Sequence, residues 1–178
     1  MSAESSPLSA AAVDPEERRL EAALRPKHLD EFVGQMRVRE QLDLMLASAR
    51  LRDRAADHVL LSGPPGLGKT TLAMIVAAEM NAPLRLSSGP AIQHAGDLAA
   101  ILSGMNEGDV LFVDEIHRFS KAQQDALLPG VENREVVLVA ATTENPSFEL
   151  NAALLSRAQV LILHRLDAAA QALRVGHE

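Results

Sequence analysis

The chain has 178 residues and a formal net charge of −7 at pH 7, so no broad basic surface for nucleic acid is indicated. It contains no cysteine, which excludes disulfide bonds, thiolate chemistry and cysteine-based metal sites. Hydrophobic residues make up 47% of the sequence and aromatic residues only 2%, so the core is aliphatic and base stacking on exposed rings is nearly excluded.

The first sixteen residues are rich in serine, alanine, proline and acid, and we predict that residues 1–16 form a disordered leader. They lack the basic-then-apolar order of a signal peptide, and no apolar run approaches the length of a membrane span. We therefore expect a cytoplasmic protein without a membrane partner, with a globular core over residues 17–166.

Helices and strands alternate along this core. Residues 37–51 carry one apolar helical stripe, made of Val38, Leu42, Met45, Leu46 and Ala49. Further helices are predicted over residues 69–80, 96–105 and 121–128. Strands are predicted over residues 58–63, 83–88, 109–114, 135–143 and 158–163. The alternation predicts an α/β layered fold with a mainly parallel five-stranded sheet.

A phosphate-binding loop is predicted between the first of these strands and the next helix. The stretch GPPGLGKT fits the pattern G-x-x-x-x-G-K-[ST] completely and has the strand-before, helix-after context that the pattern requires. Its glycines let backbone N–H groups approach a phosphate, Lys69 would face the β- and γ-phosphates, and the Thr70 hydroxyl could ligate Mg²⁺. The predicted nucleotide-binding residues here are Gly63, Pro64, Pro65, Gly66, Leu67, Gly68, Lys69, Thr70 and Thr71.

Two adjacent carboxylates end the apolar strand VLFV. P-loop NTPases hold Mg²⁺ with the loop Ser or Thr and an Asp at the end of a second strand, so Asp114 is predicted to be a metal ligand together with Thr70. Glu115 is placed to polarise an attacking water as a general base. The alternative for this pair is a solvated turn.

Two further segments stay open on the residues alone. The third apolar strand ends in four polar residues, Thr142, Thr143, Glu144 and Asn145, and one of them could hydrogen-bond the attacking water or the γ-phosphate. TTENP is also typical of a turn that stops a strand before Pro146. Arg157 precedes the last strand. It is either a solvated charge or an arginine finger that reaches a neighbour's ATP.

In this order the motifs resemble those of the AAA+ ATPases over about residues 21–166. The resemblance implies the three-layer αβα P-loop fold of the AAA+ large subdomain, with ATP and Mg²⁺ as cofactors. Gly63 to Thr70 matches Walker A, and Asp114 with Glu115 matches Walker B. Thr143 best matches sensor 1, with Asn145 as a nearby alternative, and Arg157 matches the arginine finger.

The segment LRPKHLDEFVGQ resembles the one that crosses the adenine in the DNA-repair branch of AAA+ proteins. By this resemblance Arg25, Pro26, Phe32, Val33 and Gly34 lie near the base. The implied catalytic residues of the whole site are Lys69, Glu115, Thr143 and Arg157.

Within the AAA+ ATPases, the two halves of the chain resemble different families. Residues 21–118 resemble the RuvB family of Holliday-junction branch-migration motors, whereas residues 114–166 resemble the RarA (MgsA) family of stalled replication forks. The chain thus resembles a fusion without the lid and winged-helix domains. Residues 167–178 are predicted to be the truncated start of a lid helix or a tail, in which Arg174 cannot be assigned as sensor 2.

The resemblance implies a homo-oligomeric ring, a hexamer by analogy with RuvB, that acts on a four-way junction or a replication fork. We expect a RuvB-like ATPase motor. The alternatives are a RarA-like clamp-loader-type ATPase and a truncated nucleotide-binding module with little turnover. RuvB proteins dock RuvA through a long β-hairpin between Walker B and sensor 1. Residues 115–135 leave no room for that hairpin, so coupling to RuvA is not expected.

Overall fold

A parallel five-stranded sheet organises the protein, as described by a computed structural model for residues 14–166. The strands are β1 (His58–Ser62), β2 (Leu84–Ser88), β3 (Val110–Asp114), β4 (Val137–Thr142) and β5 (Ala158–Ile162). Their order is β2-β3-β4-β1-β5, and every neighbouring pair is parallel. The α/β fold predicted from the sequence is confirmed, and β1 lies inside the sheet between β4 and β5.

The described helices have between 4 and 16 residues. They are α1 (Pro15–Leu24), α2 (Met36–Leu51), α3 (Lys69–Glu79), α4 (Ala95–Ser103), α5 (Lys121–Glu132), α6 (Pro146–Glu149) and α7 (Ala152–Leu155). Three 3-10 turns span Leu29–Glu31, Gly89–Ala91 and Ile116–Arg118. The four predicted helices are confirmed as α2, α3, α4 and α5. Within residues 14–166 no helix is both long and apolar enough to cross a bilayer.

The strands divide the apolar interior into two cores. Side chains alternate along each strand: Val59 and Leu61 of β1 face the core formed with α2 and α3, whereas Leu60 faces the core formed with α4 and α5. The stripe predicted on α2 is buried at all five positions. Helices on both faces of the sheet give the three layers that the resemblance implied.

The amino-terminal boundary differs from the prediction. Helix α1 begins at Pro15, so its first two residues, Pro15 and Glu16, lie within the range 1–16 that we predicted as the leader. Asp14 accepts a hydrogen bond from the Glu16 N–H at 3.0 Å, and proline at the first helical position already has a helical φ. The rest of the leader, the predicted lid segment 167–178 and Arg174 lie outside the described residues.

The segment between β3 and β4 is fully described and compact. Residues 115–136 form the 3-10 turn Ile116–Arg118 followed by α5, and they carry no β-hairpin. The Ser120 hydroxyl caps α5 by accepting from the Gln123 N–H at 3.2 Å, and the Gln123 side chain accepts from the Ser120 N–H at 2.8 Å.

His58 is a buried histidine whose hydrogen bonds fix its tautomer. Its Nδ1 accepts from the Leu138 N–H at 3.0 Å, so its ring proton is on Nε2, which donates to the Val131 carbonyl at 2.8 Å. Burial lowers the pKa of His58 below its ordinary value of 6.5, although the bond to Val131 acts in the opposite direction. The ring therefore remains neutral in the folded protein while unfolded chains begin to take up a proton.

We expect the free energy of unfolding to fall as the pH decreases below about 6.5, by up to about 1.4 kcal/mol per pH unit from this residue. The sign follows because the unfolded chain binds a proton that folded His58 does not bind. Urea unfolding across this pH range measures the slope. His58→Gln should have a lower free energy of unfolding that depends less on pH. The control His164→Gln, at an exposed position, should show the same dependence on pH as the unmodified chain. Equal slopes for His58→Gln and the unmodified chain would contradict the assignment.

Candidate nucleotide-binding site

Three loops meet at the carboxyl edge of the sheet. The phosphate loop follows β1, Asp114 ends β3, and Thr142 ends β4, which lies between them. The helices that follow β1 and β3, namely α3 and α5, pack on opposite faces of the sheet. In open α/β sheets, ligands bind in the crevice outside the carboxyl ends of the strands, at the point where the helices that follow neighbouring connections pack on opposite faces of the sheet.

The base of the phosphate loop is fixed to the sheet. The Gly63 N–H donates to the Thr142 carbonyl at 3.1 Å, and a Cβ at Gly63 would lie 2.5 Å from the Leu163 carbonyl oxygen. Gly68 has φ +95°, and a Cβ there would lie 2.9 Å from the Phe32 ring. Only glycine satisfies both the backbone conformation at Gly68 and its close approach to Phe32.

Lys69 begins α3 and is folded into the loop. It is 8% exposed, and its Nζ donates to the carbonyl of Gly63 and to that of Pro64 at 2.9 Å. Burial lowers the pKa of Lys69, while the negative charge of Asp114 acts in the opposite direction.

The amino end of α3 is open to an anion. No side chain caps this end of the helix, and no acidic residue lies in its first turn. Its first N–H groups therefore remain for another acceptor. Thr70 and Thr71, both half-buried, lie in this turn beside Lys69. The buried ammonium and the free helix end together form a cradle for a polyanion.

The two carboxylates stand at the end of β3 as predicted. Asp114 pairs with Ser88 across the sheet, and its Oδ1 accepts from the Glu115 N–H at 2.9 Å. Both side chains are half-buried. Glu115 has φ 49° and ψ 45°, a left-handed conformation that non-glycine residues adopt at a cost.

The segment predicted near the base packs beside the loop. Phe32 is 4% exposed and contacts Gly68, and Phe32, Val33 and Gly34 line a groove of about 800 Å³. The lining of the groove does not include Arg25 or Pro26, and the Arg25 guanidinium instead reaches Met74 Sδ of α3 at 3.9 Å.

The end of β4 holds the other predicted residues. Thr143 is exposed just after the strand. Asn145 caps α6, and its Oδ1 accepts from the Ser147 N–H at 3.0 Å. The Asn145 oxygen is thus used in the cap of α6, whereas Thr143 directly follows Thr142, whose carbonyl accepts from the Gly63 N–H of the phosphate loop. The preceding Thr142 is 1% exposed, and its hydroxyl lies 2.9 Å from His117 Nδ1, a contact between distant residues that no local sequence pattern predicts.

Arg157 lies at the opposite edge of the sheet. The parallel register places Ala158 beside His58, the first residue of β1, so Arg157 is about 16 Å from the end where the loop begins. Its guanidinium contacts Glu132 Oε1 at 2.9 Å and donates to the Ala153 carbonyl at 2.9 Å. The structure therefore brings the loop, both carboxylates and Thr143 together and leaves Arg157 apart from them.

A phosphate loop after the first strand of a parallel sheet, with acidic residues at the end of a second strand, defines a P-loop NTPase domain. The family model described as the P-loop domain of the Holliday junction DNA helicase RuvB matches residues 24–158. The chain belongs to this RuvB P-loop family, as its first half suggested. The match continues past residue 118, so it also covers most of the part that resembles RarA, a resemblance that stays a prediction.

Curated relatives and solved structures agree with this family. The chain is 69% identical over 132 residues to the Holliday junction branch migration complex subunit RuvB of Pseudarthrobacter chlorophenolicus, and 70% identical over 132 residues to that of a Nocardioides species. Each match covers 74% of this chain and 37% of the relative. The solved structure of the Thermotoga maritima RuvB branch migration motor matches with 45% identity and a TM-score of 0.76, covering 83% of this chain and 51% of that one. The chain therefore spans little more than a third of these curated relatives.

Proposed function

We propose that this chain is the ATPase core of a Holliday-junction branch-migration motor of the RuvB kind. The observation that carries the proposal is the family match over residues 24–158 together with a complete phosphate loop that faces two carboxylates. In this proposal the nucleotide lies on residues 63–71, with its base towards Phe32 and Val33 and its phosphates at the amino end of α3.

The residues fit a magnesium–nucleotide complex. Among residues 14–166 no group of three or more His, Asp or Glu side chains could hold a metal ion. Mg²⁺ does not require such a group, because it is commonly bound by one or two protein oxygens and completes its coordination shell with phosphate oxygens and water. Thr70 and Asp114 would supply the protein oxygens, and the ion would neutralise charge that develops on the phosphates. Lys69 would exchange its loop carbonyls for phosphate oxygens.

Hydrolysis in this proposal uses residues from two chains. Glu115 takes a proton from the attacking water, and Thr143 orients that water or the γ-phosphate. Arg157 lies too far from its own phosphate loop, so it would complete the site of a neighbour. This arrangement calls for a homo-oligomeric ring, with six members by analogy with RuvB, and the ring would act on four-way junction DNA.

One observation favours a second candidate function. Residues 115–136 fold as a 3-10 turn and α5, which supports an ATPase without RuvA docking, and residues 114–166 resemble the fork-associated RarA family. In this alternative the same ATP site serves a clamp-loader-type protein at replication forks. A third possibility, a nucleotide-binding module with little turnover, uses the same contacts to the phosphates.

A junction assay tests the proposal. The purified chain is incubated with ATP, Mg²⁺ and a labelled synthetic four-way junction, with the Lys69→Ala variant as the control, and strand products are followed with and without RuvA. ATP-dependent branch migration without stimulation by RuvA is expected. Strong stimulation by RuvA would refute the expectation drawn from the missing hairpin. Activity at primer ends or forks alone would select the RarA-like alternative, and tight ATP binding by a monomer without turnover would select the third possibility.

A further inference from the structure

The catalytic glutamate stands on a strained turn. Glu115 is the residue before the 3-10 turn Ile116–Arg118, and its carbonyl accepts from the Arg118 N–H at 2.9 Å. Its φ of 49° is rare for a residue with a Cβ. Such a conformation persists only where the surrounding structure holds it in place, so the contacts of this turn decide where the Glu115 carboxylate points.

The first contact is with the turn that follows β2. A Cβ at Gly89 would overlap the Glu115 carbonyl oxygen and would lie 2.8 Å from the Arg118 Cβ. The backbone of Gly89 thus packs directly on both ends of the turn that bears Glu115. It blocks movement of the turn towards β2.

The second contact is a hydrogen bond to β4. His117, in the middle of the same turn, reaches the Thr142 hydroxyl through Nδ1 at 2.9 Å. Thr142 is the last residue of β4, and its Oγ1 also accepts from the Glu144 N–H at 3.0 Å. The Thr142 hydroxyl therefore links the turn that bears Glu115 to the loop that contains Thr143 through two hydrogen bonds. It is also shielded from water, because Thr142 is 1% exposed.

We propose that the Thr142–His117 hydrogen bond fixes the position of the Glu115 carboxylate relative to the end of β4. Gly89 supports the turn on one side and Thr142 holds it on the other, so the left-handed backbone of Glu115 is fixed between two strands. Thr142 and His117 are positioning residues, since neither needs to touch the nucleotide. The inference rests on the proposed role of Glu115 in hydrolysis.

The test compares Thr142→Val, which keeps the side-chain shape and removes the hydroxyl, with Thr142→Ser, which keeps the hydroxyl. His117→Leu removes the partner from the other side, and the double variant Thr142→Val with His117→Leu completes the cycle. Two quantities are measured on the full chain. Backbone ¹³C chemical shifts of Glu115 report its φ and ψ without any need for activity, and steady-state kinetics give kcat and KM for ATP.

We expect Thr142→Val to move Glu115 out of the left-handed region and to lower kcat about 10²-fold, the effect of misplacing a reacting group by about 1 Å. KM should stay within about twofold, because the nucleotide contacts are untouched. Thr142→Ser should keep both the shifts and kcat. The kcat of the double variant should be no lower than that of either single variant, since both substitutions remove the same hydrogen bond.

Unchanged Glu115 shifts and an unchanged kcat in Thr142→Val would overturn the inference. Equal loss of kcat in Thr142→Ser and Thr142→Val would also overturn it, because the hydroxyl would not matter. Failure of the proposed function has a different signature: Glu115→Gln would then turn over ATP like the unmodified chain, while the Glu115 shifts would still report whether the hydrogen bond holds the turn. If Thr142→Val does not fold, the same comparison is made with His117→Leu, whose side chain is only half-buried.

Discussion

Replacing Arg157 by alanine is expected to lower ATP turnover of the proposed ring by about 10³-fold or more, which is the effect of removing an arginine finger, the role proposed for Arg157. The physical reason is the place of Arg157 at the amino edge of β5, one strand length from the phosphate loop of its own chain. Nucleotide binding by the same variant should be unchanged, since the residues of the loop are intact. Hydrolysis is measured at chain concentrations at which light scattering shows the oligomer.

A mixing experiment distinguishes action on a neighbour from action within one chain. Lys69→Ala keeps its Arg157 but has a defective phosphate loop, and Arg157→Ala keeps its loop but lacks the guanidinium. Mixed chains should recover part of the turnover that each variant lacks. Arg134→Ala is the matched control, because Arg134 is also exposed at the amino edge and pairs with Asp57 at 3.5 Å. The assignment fails if Arg134→Ala is as defective as Arg157→Ala or if mixing restores nothing.

Glu115→Gln should lower kcat for ATP hydrolysis by about 10²- to 10⁴-fold, which is the contribution of a positioned general base. The amide has the shape of the carboxylate but does not accept the proton of the attacking water. Binding of ATP should persist, so this variant should retain ATP where the unmodified chain releases ADP. Single-turnover hydrolysis and bound-nucleotide analysis measure the two effects.

Glu135→Gln is the control for that substitution. Glu135 is exposed before β4, at the edge of the sheet away from the phosphate loop, so its loss of charge should leave turnover unchanged. Equal hydrolysis by Glu115→Gln and the unmodified chain would show that another group activates the water.

Local sequence patterns were sufficient for most of the fold. The α2 stripe is predictable because a residue every three or four positions must face one side of a helix, and Val38 and Ala49 are buried accordingly. Strand β3 is apolar at every interior position because both of its faces are covered. The phosphate loop is predictable for a different reason: the fixed residues of its pattern, Gly63, Gly68, Lys69 and Thr70, each have a chemical role that few substitutes can fill.

Features that depend on distant residues could not be read from the sequence. The bond between His117 and Thr142 joins residues 25 positions apart, and the sequence does not contain the register that brings them together. The separation of Arg157 from the phosphate loop likewise depends on the parallel pairing of β5 with β1. The start of α1 was not predicted, because the serine, alanine, proline and acidic residues of the segment 1–16 are typical of a disordered leader. The helix cap at Asp14 lies within that segment.

Calorimetric titration with a slowly hydrolysed ATP analogue, with and without Mg²⁺, tests the central claim that the carboxyl edge of the sheet is a magnesium–nucleotide site. The unmodified chain should bind one nucleotide per chain more tightly with Mg²⁺. Asp114→Asn should lose the dependence on Mg²⁺, and Lys69→Ala should lose most of the binding. Equal binding by the unmodified chain and Lys69→Ala, or no saturable binding by the unmodified chain, would contradict the claim.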